Sequence, residues 1–263
     1  MVKNSTFVFV ILYLELIIDD LIMLIKTHAI VLRTIKYGDQ KVIVDMFTEH
    51  IGCVTFIQRI QKTKRGRIGM QFFQPLTNLE IEYDARQNVA LQKLKNIRIA
   101  YPFSSIPFSP YKTSISLFIC EFLFYCVRSE QRGLPLYHFI EKSVKWLDAS
   151  THHFSNFHIV FMLRLTRFIG FYPNLEYYQD NDFFDLRNGV FTSLPPNHGA
   201  YIVPAEAAKI NLLMRMNYST MHIFRFSHEE RNRCVDLILT YYRLHVPSFP
   251  ELKSLSVLQT LYK

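Results

Sequence analysis

Five cations crowd into nine residues at Arg59-Ile-Gln-Lys62-Thr-Lys64-Arg65-Gly66-Arg67, and no aspartate or glutamate occurs between Glu49 and Glu80. Side chains of this type at this density neutralise a polyanion. Left alone they repel one another and are costly to order, and an anionic partner relieves that repulsion. Lys62, Lys64, Arg65 and Arg67 can each meet a phosphate, and Arg59, at the end of the preceding strand, fixes the approach. Arg33, Lys36 and Lys41 belong to the first strand pair and extend the patch. Balanced surfaces intersperse both signs of charge, which this stretch does not, so nucleic acid is the first candidate partner. Phe56, Phe72 and Phe73 flank the stretch and have the rings to stack on bases. A small barrel needs large apolar fillers, however, and core packing is the better reading of all three.

Residue patterns for bond-making chemistry are missing. None of the eight glycines sits in a G-x-x-x-x-G-K or G-x-G-x-x-G setting, and neither G-x-S-x-G nor H-E-x-x-H occurs. No catalytic residue is assigned, and the expectation is a binding protein without a cofactor, not an enzyme. Asp180-Asn-Asp182-Phe-Phe-Asp185 starts like a calcium loop but lacks the glycine at its sixth position and the distal glutamate, so it reads as a solvated turn. His152, His153 and His158 read as surface histidines, because the gap from His153 to His158 does not place both on one helical face. Cys53, Cys120, Cys126 and Cys234 form no C-x-x-C pair and read as small buried apolar residues in a reducing compartment. No metal site is expected.

The elements that must position the cations come from the rest of the pattern. The chain has 263 residues, 49% hydrophobic and 15% aromatic, which excludes a disordered tail. Its net charge of +8 attracts polyanions without any specific pocket. Residues 25–35 and 41–48 are Ile/Val-rich and flank the Tyr37-Gly38-Asp39 turn, a third strand follows Gly52, and Leu79-Glu-Ile-Glu-Tyr-Asp84 alternates cleanly. A further strand or short helix lies around Leu91–Ala100. This succession fits a small closed barrel of the OB type. Pro102, Pro107 and Pro110 mark a boundary, after which the apolar period changes to helical.

Ile115, Phe118, Ile119, Phe122 and Cys126 share one helical face. Helices are also expected at 134–149, at about 156–169 with Phe157, Phe161, Leu165 and Phe168 as its buried stripe, from Pro204 to about Asn217, and from Ser227. The last opens on Ser227-His-Glu-Glu230, a capping box. The reading is therefore an α+β chain: an N-terminal OB-fold β-barrel over 23–102, then an α-helical domain over 103–263 with a small irregular insertion at about 172–203. Residues 1–22 carry an apolar run interrupted by Glu15 and followed by Asp19 and Asp20. They read as an upstream extension outside the core, too short in apolar length for a membrane span, so no stable membrane association is expected.

Several segments together resemble the bacterial recombination mediator RecO family. They are Ala29-Ile-Val-Leu-Arg33 with Tyr37-Gly38-Asp39 and Ile43-Val44-x-x-Phe47-Thr48-x-x-x-Gly52; the basic stretch ahead of Gln74-Pro75-Leu76; Leu163-x-Leu165-x-Arg167-x-x-Gly170-Phe171-x-Pro173; and Pro250-Glu-Leu-Lys253-Ser254-Leu255. The resemblance implies an OB-fold followed by a helical domain, binding of single- and double-stranded DNA, and annealing of complementary strands. It implies cooperation with RecR and contact with the acidic C-terminal tail of single-stranded DNA-binding protein, helping RecA onto DNA coated by that protein, and a cytoplasmic, nucleoid-associated location. Whether a RecF-type partner is required stays open. Many relatives carry a four-cysteine zinc module where this chain has Glu176-Tyr-Tyr-Gln-Asp-Asn-Asp-Phe-Phe-Asp; with no cysteine there, the zinc-module position lacks zinc ligands, and Phe183, Phe184 and Phe191 are expected to close the subdomain by packing.

A reading from another class competes with this one. The aromatic-rich helical domain presents Arg164, Arg167, Arg231 and Arg233, which beside apolar grooves would suit an acidic peptide, with DNA binding incidental.

Overall fold

The computed structural model, which describes residues 23–60, 68–86, 89–128 and 133–261, divides between Pro102 and Phe103 into a strand-built unit and a helix-built one. In the first, β1 (Met23–Tyr37), β2 (Lys41–Thr48), β3 (Gly52–Arg59), β4 (Asn78–Ala85) and β5 (Leu94–Tyr101) form one antiparallel sheet in the order β3-β2-β1-β4-β5. The long β1 serves two partners, pairing β4 along its first half and β2 along its second. The sheet curls on itself: the Ile57 N–H donates to the Gln92 carbonyl and the Gln92 N–H to the Thr55 carbonyl, each at 2.9 Å. That short parallel bridge ahead of β5 satisfies part of the β3 edge and gives the closed five-strand barrel expected of an OB-type fold.

Alternation fills the barrel. Val42, Val44 and Met46 of β2, Phe56 of β3, and Leu79, Ile81 and Tyr83 of β4 are all buried inward, with Ala29 and Val31 of β1 and Leu94 of β5. The Phe56 and Tyr83 rings meet edge-on at 5.0 Å. Phe73 is buried with them and Phe72 packs against the cluster, so all three phenylalanines that flank the basic stretch are spent on the core. The register of β1 against β2 slips between Val31 and Arg33. A bulge of this kind reverses which parity faces inward. Beyond it, Thr34 and Lys36 stand on the core side opposite Val44 and Val42, while Arg33, Ile35 and Tyr37 turn outward.

The helical unit starts from a clamp. Asp148 is 2% exposed, and its carboxylate accepts the backbone N–H groups of Ser104, Ser105 and Ile106, each at 2.9 Å, and the Ser104 hydroxyl at 3.0 Å. Buried Lys112 completes the corner, donating to the Ser105 hydroxyl at 2.6 Å and to the Asp148 carbonyl at 3.0 Å. Desolvation lowers the Lys112 pKa, opposed by the nearby Asp148 charge. From here α1 (Pro110–Cys126) opens with Ser109 as cap and buries Ile115, Phe118, Ile119, Phe122, Leu123 and Cys126. It is followed by α2 (Leu134–Ala149) and α3 (Phe157–Leu165).

Helix α3 is shorter than the apolar period suggested. It gives way to turns that close at Gly170, where φ of +90° suits glycine. Phe168, expected in the buried stripe, is 38% exposed and stacks on Phe139 at 4.7 Å. The expected irregular insertion contains a small sheet of β6 (Phe183–Asp185), β7 (Val190–Thr192) and β8 (Tyr201–Ile202), in the order β7-β6-β8. Phe184, Leu186, Ile202, Ala207 and Tyr241 form its core, and Phe184 meets Phe191 edge-on at 5.0 Å.

Two sequence readings are corrected in this unit. Asp182 and Asp185 are buried rather than solvated: Asp182 accepts the Gln179 N–H, and Asp185 accepts the N–H groups of Arg187 and Asn188, which ties the tight turn between β6 and β7. His158 is not a surface histidine but is 1% exposed, and burial with the Arg231 charge pushes its pKa down to about 3. None of the four cysteines is in a disulfide; Cys120 and Cys126 are buried and Cys53 and Cys234 half-buried.

Two helices follow, α4 (Pro204–Arg215) and α5 (His228–His245). The capping box is formed at α5: Ser227 Oγ accepts the Glu230 N–H at 3.1 Å and the Glu230 carboxylate accepts the Ser227 N–H at 2.8 Å. A final helix, α6 (Ser254–Leu261), packs on α1 and was not read from the sequence. Its start is capped from a distance by the Glu121 carboxylate, which accepts the N–H groups of Lys253 and Ser254 at 3.1 and 2.8 Å.

Candidate nucleic-acid interface

Cross-strand partners share a face, so the register arranges the outer surface of β1, β2 and β3 in rows. One row is Arg33, Asp45 and Thr55; the next is Ile35, Ile43 and Ile57; the last is Tyr37, Lys41 and Arg59. The first row is closed electrostatically. Arg33 Nε donates to Asp45 Oδ2 at 2.7 Å and Thr55 Oγ1 to Asp45 Oδ1 at 2.6 Å. Arg33 therefore reaches a phosphate only as the cationic end of a pair.

The last row is different. Lys41 and Arg59 are exposed, and among the described residues neither has a carboxylate within ion-pair distance. Arg59 is oriented by the uncharged Gln40, whose side-chain oxygen accepts Nε at 3.0 Å and Nη2 at 2.6 Å. The Gln40 carbonyl also accepts the Ile60 N–H at 2.7 Å. One residue of the β1–β2 turn thus aims the guanidinium and fixes where the chain leaves β3 for the basic stretch. Gln40 carries no charge and no motif, and so gave no signal in the sequence.

Lys36 stands apart from this row, on the opposite face of β1 next to Val42, and is exposed. Lys62, Lys64, Arg65 and Arg67 lie outside the described residues. Tyr37, first read as part of a turn, is the end of β1 and, at 55%, the only exposed Phe, Tyr or Trp side chain among the described residues of the barrel unit. Its outward side is set by the bulge between Val31 and Arg33, because alternation carried on from the inward Ala29 and Val31 would have turned it into the core.

The far end of the same barrel shows what a balanced surface looks like. Lys26 lies 3.2 and 3.4 Å from the carboxylates of Glu80 and Glu82, Arg98 pairs with Glu80, and Lys95 lies 2.8 Å from Asp84. The Arg98 hydrogen bond, opposed by desolvation and aided by Lys26, holds the Glu80 pKa below the usual carboxylate range. These three cations are cancelled locally, while Arg86 and Lys93 in the β4–β5 connection are exposed without a carboxylate partner among the described residues. Uncompensated positive charge on the sheet gathers where β1, β2 and β3 meet the basic stretch.

The four arginines considered for a peptide site are not brought together. Arg231 is a strut: its Nε donates to Asn156 Oδ1 at 3.1 Å and its Nη2 to the Phe226 carbonyl at 3.2 Å, while Asn156 Nδ2 holds the carbonyls of Met221 and Phe224. Arg167 lies over the Tyr172 ring at 4.2 Å and donates to its hydroxyl. Arg164 is half-buried, with Nε out of reach of any acceptor among the described residues. Arg233 makes a two-pronged pair with Glu206. It alone of the four lines a groove of about 280 Å³ between α4 and α5, with Lys209, Leu212, Leu213, Phe224, Phe226 and Leu237.

Among the described residues no group of three or more His, Cys, Asp or Glu side chains is placed to hold a metal ion. No helix among them is long and apolar enough to cross a membrane. The arrangement can bind anions along a strand face and an apolar segment in a groove.

Comparison with known proteins bears on both units. The family described as recombination protein O N terminal matches residues 23–103, and that described as recombination protein O C terminal matches residues 107–256. The DNA repair protein RecO of Phocaeicola vulgatus is 46% identical over 240 residues, covering 91% of this chain and 100% of the relative. That of Bacteroides fragilis (strain ATCC 25285) is 46% identical over 241 residues with the same coverage. That of Porphyromonas gingivalis (strain W83) is 32% identical over 245 residues, again covering 91% and 100%.

Proposed function

This chain belongs to the recombination protein O family of DNA repair proteins, and from that premise we propose that it is a recombination mediator that holds DNA chiefly by its phosphates. It binds single- and double-stranded DNA with little sequence preference, anneals complementary strands, and helps RecA onto DNA coated by single-stranded DNA-binding protein. It performs no bond chemistry, requires no cofactor, and works in the cytoplasm on the nucleoid with RecR as partner. The observation that carries the DNA reading is the outward row that ends on Lys41 and Arg59, two cations that lack carboxylate neighbours among the described residues and adjoin a stretch free of acidic residues, whereas Lys26 of β1 and Lys95 and Arg98 of β5 are paired with carboxylates. A protein that neutralises phosphates needs such a surface, and releases counterions when it binds.

The groove between α4 and α5 supports a second, compatible role. Phe224, Phe226, Leu212 and Leu213 offer apolar contacts, with Lys209 and Arg233 at the same site. An acidic tail with an apolar end, such as that of single-stranded DNA-binding protein, has the complementary chemistry. A strand-annealing assay tests the whole reading. Complementary oligonucleotides, bare or coated with single-stranded DNA-binding protein, should anneal faster with the chain present. Acceleration of neither would refute the mediator role, and acceleration of bare strands alone would refute the partner-tail role.

A further inference from the structure

We propose that Tyr37 is a stacking platform for one unpaired base, so that the outer face of β1–β3 distinguishes single-stranded from duplex DNA. The inference deepens the DNA reading above and rests on it. Three observations carry it. First, the ring is free. Tyr37 is 55% exposed, and among the described residues its ring packs on no other ring and its hydroxyl makes no hydrogen bond. The other aromatic residues described in the barrel, Phe47, Phe56, Phe72, Phe73, Tyr83 and Tyr101, are buried or half-buried.

Second, its neighbours are the right ones. Tyr37 is the direct cross-strand partner of Lys41, and Lys41 of Arg59, so one aromatic and two cations without carboxylate partners stand in line across three adjacent strands. Neighbouring strands are about 5 Å apart, which puts a charged group within reach of the backbone phosphates on either side of a base lying on the ring. Third, the next row is apolar: Ile35, 42% exposed, sits beside Tyr37 on the same face and widens the shelf. An exposed isoleucine beside an exposed tyrosine at a basic edge is poor design for a surface meant only for water. The occupant that matches the charge and offers a flat apolar face is a nucleotide with its base unstacked. Bases in a duplex are stacked on one another and leave the ring nothing to cover.

The test compares the full chain with Tyr37→Ala and Tyr37→Phe on an oligothymidylate and on a blunt duplex of equal length. Stacking on an aromatic ring is large enough that Tyr37→Ala should weaken single-strand binding about 5- to 100-fold. Tyr37→Phe should stay close to wild type, and duplex binding should hold within about twofold for both variants, since duplex contacts are to phosphates. The dependence of single-strand affinity on salt should be unchanged in Tyr37→Ala, because the substitution removes no charge. A Tyr37→Trp variant should lose indole fluorescence on adding oligothymidylate and not on adding duplex. Equal single-strand binding by wild type and Tyr37→Ala would overturn the proposal, as would a parallel loss on single strand and duplex. So would an equal loss of binding to polyglutamate, which has charge but no bases. Wild type that binds neither DNA would instead refute the underlying DNA reading.

Discussion

Replacing Asp148 by asparagine should lower the melting temperature of the helical unit by about 6–12 °C at neutral pH. The carboxylate takes three backbone N–H groups at 2.9 Å and a hydroxyl at 3.0 Å in a site 2% exposed to water. The amide keeps the shape but only one acceptor oxygen. If that oxygen stays on Ser105 and Ile106, the NH₂ group faces the Ser104 N–H, which is left without an acceptor. Hydrogen bonds to charged groups contribute about 1.5–3 kcal/mol each, so the loss is about 3 kcal/mol, and each kcal/mol moves the melting temperature of a unit this size about 2–4 °C. The pH dependence provides a second check. Burial alone would raise the Asp148 pKa, but the N–H groups of Ser104, Ile106 and Ser105 outweigh it and the net shift is downward. With the folded value below the unfolded one of about 4, the stabilisation is complete above about pH 4 and is lost as pH falls through the folded value. Thermal melts followed by circular dichroism, with exposed Glu251→Gln as control, should therefore show a constant gap from about pH 7 to 5. A variant melting within about 2 °C of wild type, or a gap that shrinks across that range, would refute the reasoning.

Three further outcomes are expected. Ser227→Ala removes the hydroxyl half of the α5 capping box and should cost about 1 kcal/mol, read as a lower urea midpoint at unchanged slope; an unchanged midpoint would show the cap to be idle. His158, neutral in the fold with its pKa near 3, takes up a proton on unfolding below about pH 6.5, so it costs stability as pH falls from there. The wild-type unfolding free energy from urea titration should drop more steeply than that of His158→Gln between about pH 6.5 and 5, by about 1.4 kcal/mol per pH unit at most; parallel curves would count against this. Protein prepared without added metal should carry no stoichiometric zinc, and a chelator should leave its melting temperature unmoved. A chelator-induced drop would contradict closure of the β6–β8 subdomain by Phe184, Phe191 and Tyr241 packing.

What could be read from the sequence follows the range of the interaction. Barrel strands β1 and β2 declare themselves by their Ile and Val content on either side of a turn, β4 by alternation between neighbours, and the α5 cap by two residues three apart, because each signal is local in the chain. Strand β5 left strand and short helix equally open, since Leu94 is its only buried residue. Helix α6 was missed because its capping carboxylate, Glu121, lies far back in the chain. Long-range pairing also explains the arginines. Arg231 looks like a surface cation until Asn156 and the Phe226 carbonyl are brought to it by the fold. His158 and Asp185 were misread for the same reason, their burial being set by elements distant in sequence. The basic stretch was legible from composition alone, but the exposed face that continues it was not, because a bulge at Val31/Arg33 decides which side Tyr37 takes.

The central claim is that the cations of this barrel meet phosphates, and the salt dependence of DNA affinity tests it most directly. With Lys62, Lys64, Arg65 and Arg67 all replaced by glutamine, the slope of log K against log salt should fall in magnitude by about 3 to 4 on the proposal that each of these side chains neutralises one phosphate. A slope equal to that of wild type would remove the basic stretch from the DNA-binding surface and contradict the account.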